Sequence, residues 1–334
     1  MTSVLRTFPL SMQWPTVDPF LFCAHHNDAY PSGDGSLAPS TSLDGRDIGQ
    51  DFSNLDGWSM YHGSTVPGFP QHPHRGFETI TYVRRGLIDH SDSLGATARF
   101  GRGDVQWLTA GSGIQHCEMF PLVNTDVGNP TELFQIWLNL PASDKMVDPY
   151  FTMLWADDIP KIVETDGAGN STTVTVIAGK YRDAVPLSPP PNSWAARPHS
   201  DVAVWHIELD SGASWTLPGA RGGNDSSRVL YLFDGVGLTV DGEVVESSQA
   251  IELKSGDDVA LFAHQGGAEC MLLQGQPLRE PVARYGPFVM NTKAEVQAAF
   301  EDYQRTEFGG WPWASADPVH PADQERFSRT LNDV

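Results

Sequence analysis

The sequence predicts an all-β protein built as two tandem β-barrels and ending in one C-terminal helix. Three observations predict it. Gly (32) and Pro (25) are plentiful among 334 residues, which suits many short strands joined by tight turns. Stretches of β-branched and aromatic residues in alternation recur between turn signals. The strand-rich pattern also occurs twice. Tyr82-Val83-Arg84-Arg85-Gly86 matches Tyr231-Leu232-Phe233-Asp234-Gly235, and Gly103-Asp104-Val105 matches Gly256-Asp257-Asp258-Val259, at separations of 149 and 153 residues. A strand-rich unit repeated once reads as two barrels.

The expected division is a first barrel over 1–145, a second over 146–290, and a helix with its tail over 291–334. A first strand is expected around Pro19–Ala24, followed by a long surface loop over 28–57, rich in Ser, Gly, Asp and Pro. From about 76 to 140 strands alternate with turns. Phe77 to Val83, Val105 to Leu108 and Leu133 to Leu138 carry strand composition, and Ser93-Leu94-Gly95 and Gly101-Arg102-Gly103-Asp104 carry turn signals. Residues 141–170 read as a connector, and Pro186–Pro198 as a Pro-rich loop within a second strand-rich region of 172–275. Near the end, Thr292-Lys293-Ala294-Glu295 is a capping box. Val296, Ala299, Phe300 and Tyr303 follow at helical spacing, with Gly309 as the stop. The apolar face of this helix is expected to dock on a barrel, with Trp311 and Trp313 packing back in the tail.

A formal charge of −21, from 21 Lys+Arg against 42 Asp+Glu, repels phosphate backbones and argues against direct nucleic acid binding. The surplus reads as solvated surface. Three cysteines, Cys23, Cys117 and Cys270, are too few for a disulfide framework. Residues 1–15 show no apolar signal-like region, and nothing reads as a membrane span. A cytoplasmic protein is expected.

The chemistry is concentrated in two pairs of residues. His72-Pro73-His74 and His116-Cys117-Glu118 each place two potential ligands at i, i+2, which on a strand points both to one face. Two such strands facing each other bring three imidazoles and a carboxylate to one point. That donor set suits a first-row divalent metal. In octahedral geometry it leaves two positions open, unlike closed, cysteine-rich tetrahedral zinc sites. Strand parity leaves the carboxylate undecided: Glu78 shares parity with His72 and His74, and Glu118 with His116. The run His72-x-His74-x-x-x-Glu78 is similar to the first signature of cupins.

Further motifs narrow this. His72 through Thr79, Asp92-Ser93-Leu94-Gly95, Gly103 through Trp107, Thr109 through Met119 and Gly286-Pro287-Phe288-Val289-Met290-Asn291-Thr292 together resemble the pirin family over roughly 15–310. The resemblance implies a bicupin with one iron ion, Fe(II) or Fe(III), in the N-terminal barrel only; other first-row divalent metals also suit the donors. It implies His72, His74, His116 and Glu118 as the metal ligands. Glu78 then becomes a supporting residue, pairing with Arg75 or with backbone. The repeat agrees with a single site: the two offsets carry the ligands onto Arg221, Gly223, Glu269 and Met271, which form no ligand set.

The resemblance also implies quercetin 2,3-dioxygenase-type chemistry. A flavonol-like aromatic substrate and dioxygen react at the metal, with Glu118 as the catalytic base for the 3-hydroxyl and cleavage of the central ring as the outcome. The alternative it implies is a non-enzymatic, iron-dependent redox sensor that binds a protein partner, a transcription factor or metabolic enzyme. Residues 28–67 are expected to lid or block the entrance. His25, His26 and His62 read as exposed loop histidines near the mouth of the site, and His90 as a satisfied polar residue. Cys117 points away from the ligands and reads as a small buried hydrophobe. Trp107, Phe134 and Trp137 read as core.

Overall fold

The computed structural model describes residues 2–330. It is mostly β, with 44% of residues in strands and one α-helix near the C-terminus, as the composition predicts. The chain divides into two compact units. One holds 25–135, 140–156 and 280–334, and the other 1–24, 136–139 and 157–279. The first 24 residues therefore belong with the second barrel and the helical tail with the first.

The barrel rich in histidine pairs is made of two sheets. One aligns Tyr150–Leu154, Val105–Thr109 and Phe77–Arg85 with the parts of Asn129–Asn139 and Phe20–Tyr30 that fall within 25–135. The other runs in the order Phe327–Arg329, Thr97–Gly101, Leu87–Asp92, Ile114–Met119 and Gly68–His74. Val83, Ile88, Phe100, Phe120 and Leu133 are buried together with Tyr30, Trp58 and Met60. The second barrel pairs a seven-stranded sheet with a four-stranded one. Between them lies a core that includes Trp205, Ile207, Leu230, Leu232, Leu238, Leu261 and Leu272.

Several expectations need correction. A strand at Val4–Pro9 precedes the expected first one and pairs with Gln249–Leu253. The connector of 141–170 contains two strands, Tyr150–Leu154 against Val105–Thr109 and Lys161–Thr165 against Ser171–Ala178. The expected surface loop begins later, because its strand continues to Tyr30; from there to residue 57 it lies mostly at the surface, as expected, with Leu37, Ala38 and Asp51 among its few buried residues. Asp51 accepts hydrogen bonds from Arg46 Nη1 and Met60 N, both at 2.9 Å, and the Arg46 guanidinium lies 3.4 Å over the Trp58 ring. A polar sequence can be ordered when its charges pair internally.

Asp28, 2% exposed, accepts from Ser59 N at 2.9 Å and Tyr61 Oη at 2.8 Å. Burial pushes its carboxyl up to about 7 from 3.8. A group titrating higher in the folded chain favours the fold fully below its unfolded value. That advantage is lost as pH rises through the folded value, here between pH 4 and 7, and amounts to about 4 kcal/mol. Asp28→Asn is expected to flatten this decline. Urea unfolding of both proteins at pH 4.5 and pH 8 checks it, and equal slopes would contradict the assignment.

The helix is Lys293–Thr306, opened by the expected capping box: Thr292 Oγ1 accepts from Glu295 N, and the Glu295 carboxylate accepts from Thr292 N. It stops slightly earlier than expected, at Glu307 in a left-handed conformation rather than at Gly309. Val296 and Ala299 are buried. Tyr303 Oη donates to Gln115 Oε1 at 2.9 Å, which ties the helix to the strand carrying His116. Gly113, at φ +133°, immediately precedes that strand with the Phe308 ring against it, and a Cβ there would lie 2.6 Å from the ring. The tail packs back as expected, with Trp313 Nε1 donating to Asp92 O at 2.8 Å and Phe327–Arg329 pairing with Thr97–Gly101.

Candidate metal centre

Strands Gly68–His74 and Ile114–Met119 are antiparallel neighbours, with His72 opposite His116. Between Phe69 and His72 the register shifts by one residue, so Phe69 rather than Pro70 faces Glu118. Gly68–His74 is the edge of its sheet, where Pro70 and Pro73 cost no ladder hydrogen bond. The bulge at Pro70-Gln71 has a chemical consequence. His72 Nδ1 lies 2.8 Å from Pro70 O. A carbonyl only accepts, so Nδ1 carries the proton and Nε2 presents its lone pair.

The structure brings the three predicted histidines together. One ligand atom from each of His72, His74 and His116 lies within 4.8 Å of the others. His72 Nε2 and His116 Nε2 are 3.0 Å apart. Two nitrogens bound at right angles to one ion at ~2.1 Å would be separated by about 3.0 Å, so this spacing fits adjacent ligands on one metal. His116 Nδ1 is buried and has no hydrogen-bond partner. Burial pushes the His72 imidazole down to about 4 and those of His74 and His116 well below their ordinary value. All three are therefore neutral near pH 7, the state in which imidazole binds metals.

Glu118 is 3% exposed, and its Oε2 is 3.9 Å from His116 Nε2. Thr81 Oγ1 donates to Oε1 at 2.9 Å and Gln135 Nε2 to Oε2 at 2.7 Å. Burial nevertheless raises the carboxyl above its ordinary value. Glu78 lies apart from this cluster. Its carboxylate accepts from Trp107 Nε1 at 3.2 Å and Thr109 Oγ1 at 2.8 Å. The expected partnership of Glu78 with Arg75 is corrected: Arg75 pairs with Asp302, donates to Ser112 O and lies over the Phe308 ring.

Thr81 and Gln135 escaped the sequence reading. Gln135 carried a signal, being a lone amide inside the apolar run Leu133 to Leu138. With half its support gone, the Glu118 carboxylate in a Gln135→Leu protein is expected to bind metal about 10- to 100-fold more weakly. Chelator competition measures this, and unchanged affinity would contradict the role.

The other histidines are placed as follows. His90 lies opposite Glu118 in the sheet and shares its face. It contacts Asp92 at 3.4 Å, stacks on Phe151 and sits 5.4 Å, ring to ring, from His116. His25 is partly buried and pairs with Glu132 at 2.9 Å. His26, expected to be exposed, is buried and packs edge-on against Tyr61 and Phe69; burial pushes it down to about 4. Only His62 of this group is exposed. Cys117 is fully buried with Leu37, Val66 and Met119, away from the ligands. Trp107 and Phe134 are core, whereas Trp137 is half-buried against Phe22.

Strand pairing corrects the register of the internal repeat. Ile114–Met119 lies between Gly68–His74 and Leu87–Asp92, and Val259–Ala263 lies between Ser214–Leu217 and Gly237–Val240. Val259–Ala263 therefore corresponds to the His116 strand rather than to Val105–Thr109. With His72 opposite His116 and Trp215 opposite Leu261, the ligand positions are taken by Trp215, Leu217, Leu261 and Ala263, all in the core. Glu269 instead pairs with His206 at 3.1 Å, next to Glu208.

Comparison with known proteins shows the family of the chain. The chain matches the family described as Pirin over residues 2–138 and the Pirin C-terminal cupin domain over 204–309. It is 39% identical to a Pseudomonas aeruginosa protein provisionally named quercetin 2,3-dioxygenase, over 72% of this chain and 79% of that one. It is 34% identical to Pirin of Homo sapiens, over 79% and 87% of the two chains. A crystal structure of quercetin 2,3-dioxygenase from Acinetobacter baumannii superposes with a TM-score of 0.72 at 28% identity, covering 93% of this chain and 99% of that one.

Proposed function

This chain belongs to the pirin family, and from that membership we propose that it is a mononuclear non-haem iron protein acting as a quercetin 2,3-dioxygenase-type, ring-cleaving dioxygenase of flavonols. The observation that carries the reading is the convergence of three neutral imidazoles, His72 and His116 presenting nitrogens 3.0 Å apart, with the buried Glu118 carboxylate 3.9 Å from His116. His72, His74, His116 and Glu118 would hold the metal. A bound ion supplies Lewis acidity toward the substrate hydroxyl and a template for substrate and dioxygen.

The residues of the chain do the rest. Glu118 is the base that takes the proton of the flavonol 3-hydroxyl. Thr81 and Gln135 donate to the carboxylate and hold it in place. The ring of Phe69, 6.4 Å from His72, continues into His62 and Phe52 and offers an aromatic surface of the kind a planar substrate stacks on.

The test is anaerobic iron loading, then addition of quercetin in air with oxygen uptake and loss of flavonol absorbance recorded together. Uptake that requires both iron and flavonol is expected. A fully loaded protein no faster than the His116→Ala variant would exclude the activity.

A further inference from the structure

The second barrel, which fills the ligand positions with apolar side chains, has a different feature at one of its ends. Inward-facing residues alternate along its strands: Leu230 and Leu232, Cys270 and Leu272, Trp205 and Ile207 all join the core. Arg228 and Gln274 share the parity of these residues and lie opposite each other in the sheet. Where the core ends, the barrel thus turns polar, and a cavity of about 720 Å³ opens there, large enough for a small organic molecule.

Arg228 is 1% exposed and lines this cavity. Its Nε donates to Gln274 Oε1 at 2.7 Å. Asp201 accepts from Gln274 Nε2 at 3.1 Å and so orients that amide. Arg228 Nη1 is buried without a hydrogen-bond partner, and so is Nε1 of Trp205, which also lines the cavity. Burial lowers the guanidinium only to about 10, so it stays charged at neutral pH. A buried, incompletely paired guanidinium is costly and is retained where something else uses it.

The charge around it is anomalous for this chain. Lys180, Arg182, Arg197, Arg221 and Arg228 line the cavity, against Asp201 as the one acidic lining residue among those described. Five of the 21 basic residues of a chain with a net charge of −21 thus converge on one opening. Arg182 is paired with Glu164 at 3.0 Å, and Asp201 is occupied by Gly222 N, Ser226 Oγ and Gln274. The unpartnered buried atoms are both donors, so their complement is a group that only accepts.

We propose that the cavity at the end of the second barrel is an anion-binding site for a small organic molecule bearing a carboxylate or phosphate, gripped by Arg228 with Trp205 Nε1 beside it and drawn in by Arg221 and Lys180. Guanidinium suits both oxyanions, because its planar fork matches two acceptor oxygens at once. The site is separate from the proposed iron centre and does not depend on it.

Calorimetric titration of the full chain at low ionic strength tests this, with inorganic phosphate as one probe and benzoate as the other. Saturable one-to-one binding of at least one is expected, and the tighter probe identifies the class. Arg228→Gln is expected to weaken it by about tenfold or more, Arg228→Lys by less, and exposed Arg221→Gln by about threefold. His116→Ala should leave it unchanged. Arg228→Met should melt no lower than the parent in phosphate-free buffer, while losing the rise in melting temperature that the bound probe produces. No saturable binding of either probe below about 10 mM, or binding unaffected by both Arg228→Gln and Arg221→Gln, or binding lost with His116→Ala, would overturn the proposal.

Discussion

His116→Ala is expected to lose the metal. The wild-type chain should retain one iron after anaerobic reconstitution and desalting, and the variant less than about a tenth of that, a fall in affinity larger than the 10- to 100-fold typical of losing a supporting residue. His116 sits at the centre of the cluster. It faces His72 across the strand pair, packs 4.9 Å, ring to ring, from His74 and lies 3.9 Å from Glu118. No neighbouring donor replaces it without a backbone shift, because the nearest imidazole on the same face, His90, is already engaged with Asp92 and Phe151. Quantifying iron per chain checks this, and equal iron in variant and wild type would remove His116 from the ligand set.

The second large effect belongs to Glu118→Gln. The substitution keeps size and planarity but removes the proton acceptor, so flavonol turnover should fall by at least about 100-fold, with some metal retained on the three histidines. Stability should move the other way. Burial raises the Glu118 carboxyl above 4.5. In the metal-free protein its contribution to the fold is therefore complete below the unfolded value and is lost as pH rises through the folded one. The metal-free variant should accordingly gain stability relative to metal-free wild type at pH 8 and not at pH 4. Denaturant midpoints at the two values check the direction, and turnover preserved in Glu118→Gln would rule out its role as base.

The histidines of the site could be read from the sequence because strand parity is local. His72 with His74, and His116 with Glu118, share a face whatever the strands pair with. The helix was legible for a similar reason, since the capping box of Thr292 and Glu295 lies within four residues. What escaped the reading depends on distant partners. Val4–Pro9 finds its place only against Gln249–Leu253, some 240 residues on. The repeat was recognisable at Tyr82 and Tyr231, but a Gly-Asp turn recurs before more than one strand, and Gly256-Asp257 precedes the counterpart of the His116 strand. The segment after Tyr30 read as solvated loop because its composition is polar, and it lies mostly at the surface; composition did not show that Asp51 is buried within it and paired with Arg46. Thr81 and Gln135 could not be assigned to Glu118 before the sheet brought them to it.

A crystal of the iron-loaded chain measured at the iron absorption edge tests the proposed metal centre most directly. A single anomalous peak is expected in the first barrel, about 2.2 Å from an imidazole nitrogen of each of His72, His74 and His116 and from a Glu118 oxygen. A peak coordinated by Glu78 in place of Glu118, or one lying elsewhere in the chain, would contradict it.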